Sequence, residues 1–374
     1  MRLRELVLKN YRNYNELELS FHSDLILFAG LNAQGKTNIL ESIFTSCTGR
    51  SHRTPRDREL IQWGKEEALI RTRVEKQAGI SEIAVLLAAR DKKKVMINQS
   101  PASRLGELMG HLNSVMFSPD DLKLIREGPA ERRRFMDMEL SQIRPQYFYY
   151  LQQYNRVLNH RNNLLKSIQV KPSLAATLPA WDVQLAQTGS YIIQQRKLFQ
   201  DSLRIIAQEI HHRITNGTEK LDLEYKSSIP FQTNQLEEIQ QQFLQVLEER
   251  QKEDIERGIT GKGCHRDDIV FHINGADVRV FGSQGQKRTT VLSIKFSELE
   301  YMRQETGEYP LLLLDDVMSE LDYSRQQMLL EYIGKVQTFI TLTDPDLIPD
   351  LKHKKMQIFK IHSGTALPLE SLSF

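Results

Sequence analysis

The stretch "FAGLNAQGKTN", residues 28–38, decides the fold of this chain. Gly30 to Thr37 match G-x-x-x-x-G-K-[ST] in full, which is the pattern of a phosphate-binding loop, or P-loop. A strand-like apolar run at residues 25–28 precedes the pattern, and a helix-like run at residues 39–44 follows it. Because a P-loop connects a strand to a helix, this context predicts a nucleotide-binding α/β domain.

The P-loop residues predict how a nucleotide is held. Backbone N–H groups and the helix N-terminus point at phosphate oxygens, Lys36 reaches the β- and γ-phosphates, and the Thr37 hydroxyl is a ligand for Mg²⁺. A P-loop alone does not distinguish a kinase, a GTPase or a motor. The reaction must therefore be inferred from residues elsewhere in the chain.

Composition is typical of a soluble globular protein. The 374 residues suffice for one large or two ordinary domains, with an apolar share of 40% and a charged share of 26%. No apolar run approaches the roughly 20 residues of a membrane helix, and the first ten residues are charged where a signal peptide would be apolar. We therefore expect a cytoplasmic protein without membrane contact, in which Cys47 and Cys264 are reduced structural thiols.

The net charge of +2 does not by itself indicate a nucleic-acid-binding protein. Any attraction to DNA or RNA must come from local basic patches, although a run of charge is more often a solvated face. The patches are Arg50, His52, Arg53, Arg56 and Arg58; Lys92 to Lys94; Arg132 to Arg134; and Lys352, Lys354 and Lys355. Among them, Arg50, Arg53 and Arg56 are our first candidates for DNA contacts.

Hydrophobic periodicity divides the chain into three parts. Residues 1–125 are the N-terminal half of a split nucleotide-binding domain, the head, with short β-rich segments near residues 69–75, 81–89 and 94–98 that predict an antiparallel sheet beside the P-loop sheet. Residues 126–255 are largely helical and predict an inserted helical arm domain. One apolar stripe of this arm comprises Tyr147, Leu151, Tyr154, Leu158 and Leu165. Residues 256–374 return to an α/β pattern and complete the head.

A second site segment is "YPLLLLDDVMSELD", residues 309–322. Its four leucines predict a buried strand that ends in Asp315 and Asp316. A carboxylate at such a strand end can lie beside the Mg²⁺ held by Thr37, and the next one can orient an attacking water. The alternative is an ordinary buried strand capped by surface acids.

A third segment is "VFGSQGQKRTTVLSIKFSELEYM", residues 280–302. Its apolar spacing favours a helix, and residues 282–286 would form the loop before it. Small residues, backbone amides and a helix N-terminus make an anion site. Since Thr37 and Asp315 already complete one phosphate and metal centre, this second site most simply binds the γ-phosphate held by another copy of the chain.

The order of these motifs resembles the ABC-type ATPase heads of the SMC class, and more closely the RecF family of bacterial recombination proteins. The motifs that carry the resemblance are "LKNYRNY", "GLNAQGKTNILE", "GRSHRT", "FSPDDLKLI", "GCHRDD", "FGSQGQKRT" and "LLLDDVMSELD". They span residues 8–322. The resemblance implies an ABC-type head with a parallel P-loop sheet, an antiparallel β subdomain and an inserted helical arm.

Carried over residue by residue, the resemblance implies a nucleotide site built from both ends of the chain. The ATP-binding residues would be Gly30, Asn32, Ala33, Gln34, Gly35, Lys36, Thr37 and Asn38. Asn10 and Arg12 match the segment that approaches the nucleotide in related heads. Thr37 and Asp315 would hold Mg²⁺. The catalytic set would be Lys36, Asp316 and Thr343.

The resemblance also implies an ATP-dependent homodimer. The signature segment, which would reach the γ-phosphate of the partner, comprises Ser283, Gln284, Gly285 and Gln286. Asp322 would lie in the loop that crosses the dimer interface.

Three departures from the ABC pattern predict slow hydrolysis. Gln284 replaces the first of the two glycines that usually follow the signature serine, and Asp316 stands where most ABC heads carry the longer glutamate. Thr343 and Asp344 follow the last buried strand, where transporters place a histidine. The segment "FSPDD" lacks the glutamine of the related magnesium loop, so Asp120 receives no role.

These observations predict an ATP-gated DNA clamp. ATP that binds the closed dimer better than the monomers stabilises the dimer, and two weak DNA-binding surfaces joined together bind more tightly than one. The resemblance implies duplex DNA and junctions of single- and double-stranded DNA as ligands. It also implies RecR and RecO as partners that help to load RecA on single-stranded gaps.

Two other function classes stay open from the sequence. The nucleotide-binding subunit of a membrane transporter would carry the switch histidine, which is replaced here by Thr343. A small-molecule phosphotransferase would not need the signature segment.

Overall fold

The computed structural model describes residues 1–318, 322–343 and 355–369. The chain divides into two compact units, of which the first comprises Met1–Asp121 and the described residues from Lys295 onward. The second unit comprises Leu122–Ile294. Part of the predicted S-E-L-D motif, Asp344 and two of the patch lysines, Lys352 and Lys354, lie outside the described residues.

The helices and strands follow one another in three groups. The first group is β1 (Arg2–Tyr11), β2 (Tyr14–Ser20), β3 (Leu25–Ala29), α1 (Lys36–Thr48), β4 (Glu67–Lys76), β5 (Gly79–Ala88), β6 (Lys94–Ile97), β7 (Ser100–Pro101) and β8 (Ser114–Phe117). The second is α2 (Lys123–Arg126), α3 (Pro129–Ile143), α4 (Pro145–Val170), α5 (Leu178–Ile214), β9 (Leu221–Lys226), α6 (Leu236–Glu249), α7 (Gln251–Arg257), β10 (Asp268–Ile273), β11 (Ala276–Asp277) and α8 (Val278–Phe281). The third is α9 (Gln284–Thr306), β12 (Leu311–Asp315), α10 (Tyr323–Tyr332), β13 (Thr338–Leu342), β14 (Gln357–His362) and β15 (Thr365–Leu369).

The first unit contains the predicted antiparallel sheet. Its six strands have the order β2-β1-β4-β5-β6-β7, and every neighbouring pair is antiparallel. The β-rich segments that the sequence predicted near residues 69–75, 81–89 and 94–98 correspond to β4, β5 and β6, so these predictions are confirmed. Alternation of buried and exposed side chains along β4 follows from one covered and one solvated face.

The P-loop sheet of the same unit has the strand order β15-β14-β3-β13-β12-β8. The five strands from β14 to β8 pair in parallel, and β15 pairs with β14 in the antiparallel sense. All five residues of β3, β13 and β12 are buried, as expected for parallel strands covered on both faces. Because β13 pairs with both β3 and β12, the carboxyl ends of these strands lie side by side.

The second unit is mainly helical. The predicted apolar stripe lies on α4, where Tyr147, Tyr154, Leu158 and Leu165 are buried and Leu151 is half-buried. A three-stranded sheet, β11-β10-β9, belongs to the same unit. The fold class predicted from the sequence, an α/β head with an inserted helical domain, is therefore confirmed.

Two boundaries differ from the sequence-based expectation. The predicted arm ended at residue 255, but the second unit continues to Ile294 because β10 pairs along its whole length with β9, a strand within the predicted arm. The anion-binding loop was predicted at residues 282–286, but α9 begins at Gln284. The signature segment is therefore mostly the first turn of a helix.

Arg161 is fully buried in the second unit and joins three segments of the chain. Its Nε donates to Asp182 Oδ1 at 2.6 Å, and its Nη1 donates to Asp254 Oδ2 at 2.7 Å and to Thr260 Oγ1 at 2.8 Å. Burial raises the pKa of Asp182, and the charge of Arg161 opposes that shift. The guanidinium therefore keeps two carboxylates from being buried without a countercharge.

Replacing Arg161 with alanine should destabilise the second unit strongly. Removing one partner of a buried ion pair leaves the remaining charges uncompensated, and we expect the free energy of unfolding to fall by about 3–5 kcal/mol. Chemical denaturation followed by far-UV circular dichroism measures this change. Arg156→Ala, an exposed position on the same helix, is the control and should change stability by less than about 0.5 kcal/mol. Equal effects of the two substitutions would contradict the structural role given to Arg161.

Candidate nucleotide-binding site

The P-loop connects β3 to α1, and both glycines of its pattern are fixed by close packing. A Cβ at Gly30 would lie 2.4 Å from the carbonyl oxygen of Ile361. Gly35 has a φ of +114°, and a Cβ there would lie 2.5 Å from Asn13 Nδ2. Because no other residue tolerates these approaches, glycine at both positions is required by the chain's own structure.

Two turns that the sequence analysis did not identify hold the loop. On one side, the Tyr14 hydroxyl donates to the carbonyl oxygen of Gly35 at 3.0 Å, and Asn13 Nδ2 donates to that of Gln34 at 3.0 Å. On the other side, the backbone N–H of Ser363 donates to Gln34 Oε1 at 2.7 Å. Gln34, predicted to bind nucleotide, is thus the residue through which both turns hold the P-loop.

A cavity of about 300 Å³ opens at the P-loop. Its lining residues are Asn32, Ala33, Gly35, Lys36, Thr37, Asn38, Arg53, Asp316 and Thr341. Lys36 Nζ donates to the carbonyl oxygens of Gly30 and Leu31, at 2.5 and 2.9 Å. Burial lowers the pKa of Lys36, and the carboxylates of Asp316 and Asp315 oppose that shift. Most of the predicted nucleotide-binding residues therefore converge on one cavity with a cation at its base.

A larger cavity of about 680 Å³ lies in the second unit. Its charged side chains include the ion pairs Lys197–Asp201 and Arg204–Asp222, and none of the predicted site residues lines it. The smaller cavity is the candidate site because the P-loop, the N-terminus of α1 and the carboxylate of Asp316 line it.

Thr37 and Asp315 meet at this site although 278 positions separate them. Thr37 Oγ1 donates to Asp315 Oδ1 at 2.8 Å, and Thr341 Oγ1 donates to the same oxygen at 2.9 Å. Burial raises the pKa of Asp315, whereas the two hydroxyl donors and the charge of Arg53 oppose the shift. Two hard oxygen atoms at this separation suit Mg²⁺, which prefers such ligands and would lower the energy of the buried carboxylate.

Asp316 lines the same cavity and has a left-handed backbone conformation. Its φ is +54°, and its backbone N–H donates to Thr341 Oγ1 at 2.9 Å. Aspartate is among the few residues that adopt this conformation readily, and such positions cluster at functional sites. Thr343, which the sequence placed in the catalytic set, is exposed beyond the end of β13, whereas Thr341 within the strand lines the cavity. Thr341 escaped prediction because a threonine inside a buried strand carries no motif.

A buried carboxylate, Glu41 on α1, organises the basic residues beside the cavity. Arg12 donates from Nε and Nη2 to the two carboxylate oxygens of Glu41, at 2.9 and 2.7 Å. Arg53 Nη1 lies 3.6 Å from Glu41 Oε2 and donates to Asn38 Oδ1 at 2.9 Å. Burial disfavours the charged form of Glu41, but the hydrogen bonds from Arg12 and Ser51 outweigh it and hold its pKa below the usual value.

The contacts with Glu41 bear on the roles predicted for Arg53 and Arg12. Arg50, Arg53 and Arg56, predicted together as DNA contacts, are all exposed, but of the three Arg53 lines the P-loop cavity. Arg12 and Asn10 both have positive φ, at +51° and +50°, where β1 turns towards β2. From this turn the guanidinium of Arg12 contacts α1 through its two hydrogen bonds to Glu41.

The signature segment in the second unit is capped reciprocally. Ser283 N donates to Gln286 Oε1 at 2.9 Å, and Gln286 N donates to Ser283 Oγ at 3.2 Å, which is a capping box. Arg126 Nη2 donates to Gln284 Oε1 at 2.6 Å. Gly285 faces open space, since a Cβ there would meet only Ser283 Oγ, at 3.8 Å. In the first unit, Asp322 caps α10 by accepting from Arg325 N at 3.0 Å.

Comparison with known proteins agrees with this geometry. The family model described as RecF/RecN/SMC N terminal domain matches residues 2–365. The DNA replication and repair protein RecF of Alkaliphilus oremlandii is 46% identical over 365 residues, which cover 97% of this chain and 99% of that protein. The chain belongs to the RecF family. RecF of Halothermothrix orenii is 43% identical and covers both chains completely.

Solved structures extend the comparison to the fold. A structure described as the recombination mediator protein RecF-ATP in the RecFOR pathway has a TM-score of 0.92 and 36% identity, over 98% of this chain and 97% of that one. An Smc head domain from Pyrococcus furiosus has a TM-score of 0.56 at 15% identity, over 98% of this chain and 95% of that one, and therefore shows the fold alone. The resemblance to the RecF family inferred from the motifs is confirmed.

Replacing Glu41 with glutamine should destabilise the first unit in a pH-dependent way. A lowered carboxyl pKa stabilises the folded state above the unfolded pKa, near 4.3, and this contribution is lost as pH falls through the folded pKa. We expect a loss of about 2–3 kcal/mol at pH 7, as for charged hydrogen bonds, that shrinks below about pH 4. Urea denaturation across this pH range measures it.

Glu16→Gln is the matched control, because Glu16 pairs with Lys9 at the surface, where both side chains are more than half exposed. Its effect should stay below about 1 kcal/mol at every pH. A Glu41→Gln effect that did not depend on pH would show that Glu41 contributes by packing and not by its charge.

Proposed function

We propose that this member of the RecF family is an ATP-gated DNA-binding protein of replication and recombinational gap repair. ATP joins two heads into a dimer, the dimer binds DNA, and slow hydrolysis releases it. The observation that carries the proposal is the 2.8 Å hydrogen bond between Asp315 and Thr37, a residue that lines the P-loop cavity. Together with Lys36 they supply the cation, hydroxyl and carboxylate that a nucleotide triphosphate with Mg²⁺ requires.

The residues that would hold Mg²⁺ are Thr37 and Asp315. When bound there, the ion would neutralise charge on the β- and γ-phosphate oxygens. Lys36 would bind the same phosphates from the P-loop side, where its Nζ now contacts carbonyl oxygens of the loop. ATP itself would lie along Gly30–Asn38; that a relative is described as RecF-ATP supports ATP as the nucleotide.

Asp316 would orient the water that attacks the γ-phosphate. Its position at the cavity, beside Asp315, supports this role. The aspartate is one methylene shorter than the glutamate of most ABC heads, so we expect it to position water less well. Slow hydrolysis suits a protein in which the lifetime of bound ATP sets how long the dimer stays on DNA.

The signature segment would bind the γ-phosphate held by a second copy. The capping box uses the N–H groups of Ser283 and Gln286, so the groups offered to an anion are Ser283 Oγ and the N–H groups of Gln284 and Gly285. These three residues are exposed at a helix N-terminus, which favours an anion. Among the described residues, only Ser283 Oγ, at 3.8 Å, would lie within 4 Å of a Cβ at position 285, and a glycine in a helix costs stability relative to alanine. Close approach of a ligand from outside explains the glycine, and Asp322 would lie near the same interface.

The names of the relatives support the cellular role. Several are called DNA replication and repair protein RecF, and one solved relative is assigned to the RecFOR pathway. We therefore extend the proposal to duplex DNA, to junctions of single- and double-stranded DNA, and to RecR and RecO as partners in loading RecA in the cytoplasm. The family assignment favours this function over a transporter subunit or a phosphotransferase. Within the described residues, no helix has the length and apolarity needed to span a membrane.

ATP should convert the protein from a monomer into a dimer. In an Asp316→Asn background, chosen to slow hydrolysis, light scattering should give the monomer mass without nucleotide and the dimer mass with ATP and Mg²⁺. Adding Ser283→Arg should block the dimer, because the arginine side chain is much larger than serine and would occupy the space needed by the partner's γ-phosphate. Binding of ATP to the P-loop should change by less than about two-fold, because all the residues that line the P-loop cavity belong to the first unit. A two-fold change corresponds to about 0.4 kcal/mol.

Ser167→Arg, which adds the same charge at an exposed position of α4, is the control and should dimerise normally. A Ser283→Arg protein that dimerised like the parent would show that the signature segment does not bind a second head. A parent that stayed monomeric with ATP bound would overturn the dimer mechanism.

The basic residues after α1 should divide into two classes. Arg50→Ala with Arg56→Ala should weaken DNA binding and reduce the slope of log K against log salt by about 1–2, because each phosphate contact contributes about 0.9. Arg53→Ala should instead weaken ATP binding, because Arg53 lines the nucleotide cavity. Fluorescence anisotropy of labelled duplex DNA with ATP measures the first effect, and calorimetry measures the second.

Arg2→Ala with Arg90→Ala removes two other exposed charges of the same unit and should leave both quantities unchanged. An unchanged salt slope in the Arg50 and Arg56 variant would exclude these residues as DNA contacts.

A further inference from the structure

We propose that Glu219 and His211 are positioning residues for the signature segment, Ser283–Gln286, and thereby set the strength of ATP-dependent pairing between two copies of the chain. This inference rests on the proposed function, because it assigns residues that hold the surface through which the two copies meet. Neither residue belongs to a motif in the sequence.

The side-chain amide of Gln286 is held at both ends. Its Oε1 accepts from Ser283 N at 2.9 Å, and its Nε2 donates to Glu219 Oε1 at 2.9 Å. The orientation of the amide is therefore fixed, with its oxygen turned towards the backbone of Ser283. Because Gln286 N also donates to Ser283 Oγ, the position of the serine hydroxyl depends on this one side chain.

Glu219 is itself held by His211, a fully buried residue in the last turn of α5. His211 Nε2 lies 3.2 Å from Glu219 Oε2, and His211 Nδ1 lies 2.9 Å from Ser293 Oγ on α9. The two oxygens of Glu219 thus serve different partners, one on α5 and one in the signature segment. Ser293 lies on α9, the helix that begins in the signature segment, so His211 contacts both Glu219 and this helix.

The protonation of His211 fits this arrangement. Burial lowers the pKa of His211, and the Glu219 carboxylate opposes the shift. A neutral imidazole has one donor nitrogen, and placing the proton on Nε2 gives a hydrogen bond to the carboxylate. Ser293 Oγ lies 2.9 Å from Nδ1 and also 2.9 Å from the carbonyl oxygen of Thr289, so its one hydroxyl hydrogen is shared between these two acceptors.

The surroundings favour a positioning role over simple stabilisation. The Glu219 side chain is only 21% exposed, and its backbone is held on both sides: Gly217 N donates to the carbonyl oxygen of His212 at 2.8 Å, and Lys220 N donates to Asn274 Oδ1 at 2.9 Å. The carboxylate is therefore presented to Gln286 by a fixed backbone. Without it, Gln286 can turn away and leave the Ser283 N–H without its acceptor.

The test is a double-mutant cycle on Glu219 and Gln286 in the Asp316→Asn background. Dimerisation with ATP and Mg²⁺ is measured by light scattering over a range of protein concentrations. We expect Glu219→Ala to raise the dimer dissociation constant about ten-fold, as for loss of one charge-assisted hydrogen bond. Glu219→Gln keeps an acceptor oxygen for Gln286 and should recover most of the affinity.

Adding Glu219→Ala to Gln286→Ala should weaken the dimer no further, since Glu219 acts through Gln286. ATP binding by the monomer should stay unchanged in all variants. Glu248→Ala, an exposed glutamate on α6, is the control and should dimerise like the parent. Additive effects of the two substitutions, or a Glu219→Ala protein that dimerises normally, would overturn the inference.

Hydrogen exchange of the backbone amides of residues 283–286 without nucleotide provides a readout that does not need a dimer. We expect faster exchange in Glu219→Ala and in His211→Ala than in the parent and in Glu248→Ala. Unchanged exchange would overturn the inference even if the parent dimerises. A monomeric parent with ATP bound would instead overturn the proposed function, so the two failures are distinguishable.

Discussion

The hydrogen bonds that Thr37 and Thr341 donate to Asp315 are the interaction on which the candidate site depends. They join the N-terminus of α1 to the ends of β12 and β13, which lie next to each other in the P-loop sheet. A carboxylate in so buried a position is costly unless donors or a cation surround it. The site thus combines a group that is unfavourable in the free protein with the geometry that a phosphate-bound metal needs. Burying this carboxylate lowers the stability of the free protein, and a bound cation would offset that cost.

The turns around the P-loop show how little of this arrangement is local. Asn13, Tyr14 and Ser363 hold the loop from outside, and Glu41 holds Arg12 and Arg53 beside it. The loop therefore has a defined shape before any phosphate arrives, which reduces the ordering that binding must overcome. Substitutions in these supporting residues would change nucleotide affinity without touching the nucleotide.

The sequence predicted those features that have a local pattern. The P-loop, the buried strand ending in Asp315 and the apolar stripe of α4 follow from spacing alone, and the structure places them as expected. It did not predict Thr341, Glu41 or Asn13, because each acts through partners distant in sequence. The end of the helical unit was misplaced for the same reason, since the pairing of β10 with β9 is a tertiary contact. The pairing of one strand with another depends on the packing of the whole unit, and it leaves no periodic pattern in the sequence.

The order of strands has a consequence for synthesis of the chain on the ribosome. β3 carries the P-loop, yet both of its neighbours in the sheet, β13 and β14, come from the last part of the sequence. Until they emerge, a strand with five buried residues has no partner on either edge, whereas Leu122–Ile294 is continuous and can form its contacts early. The P-loop sheet is therefore completed last, and the nascent chain must keep an apolar strand from aggregating for most of translation.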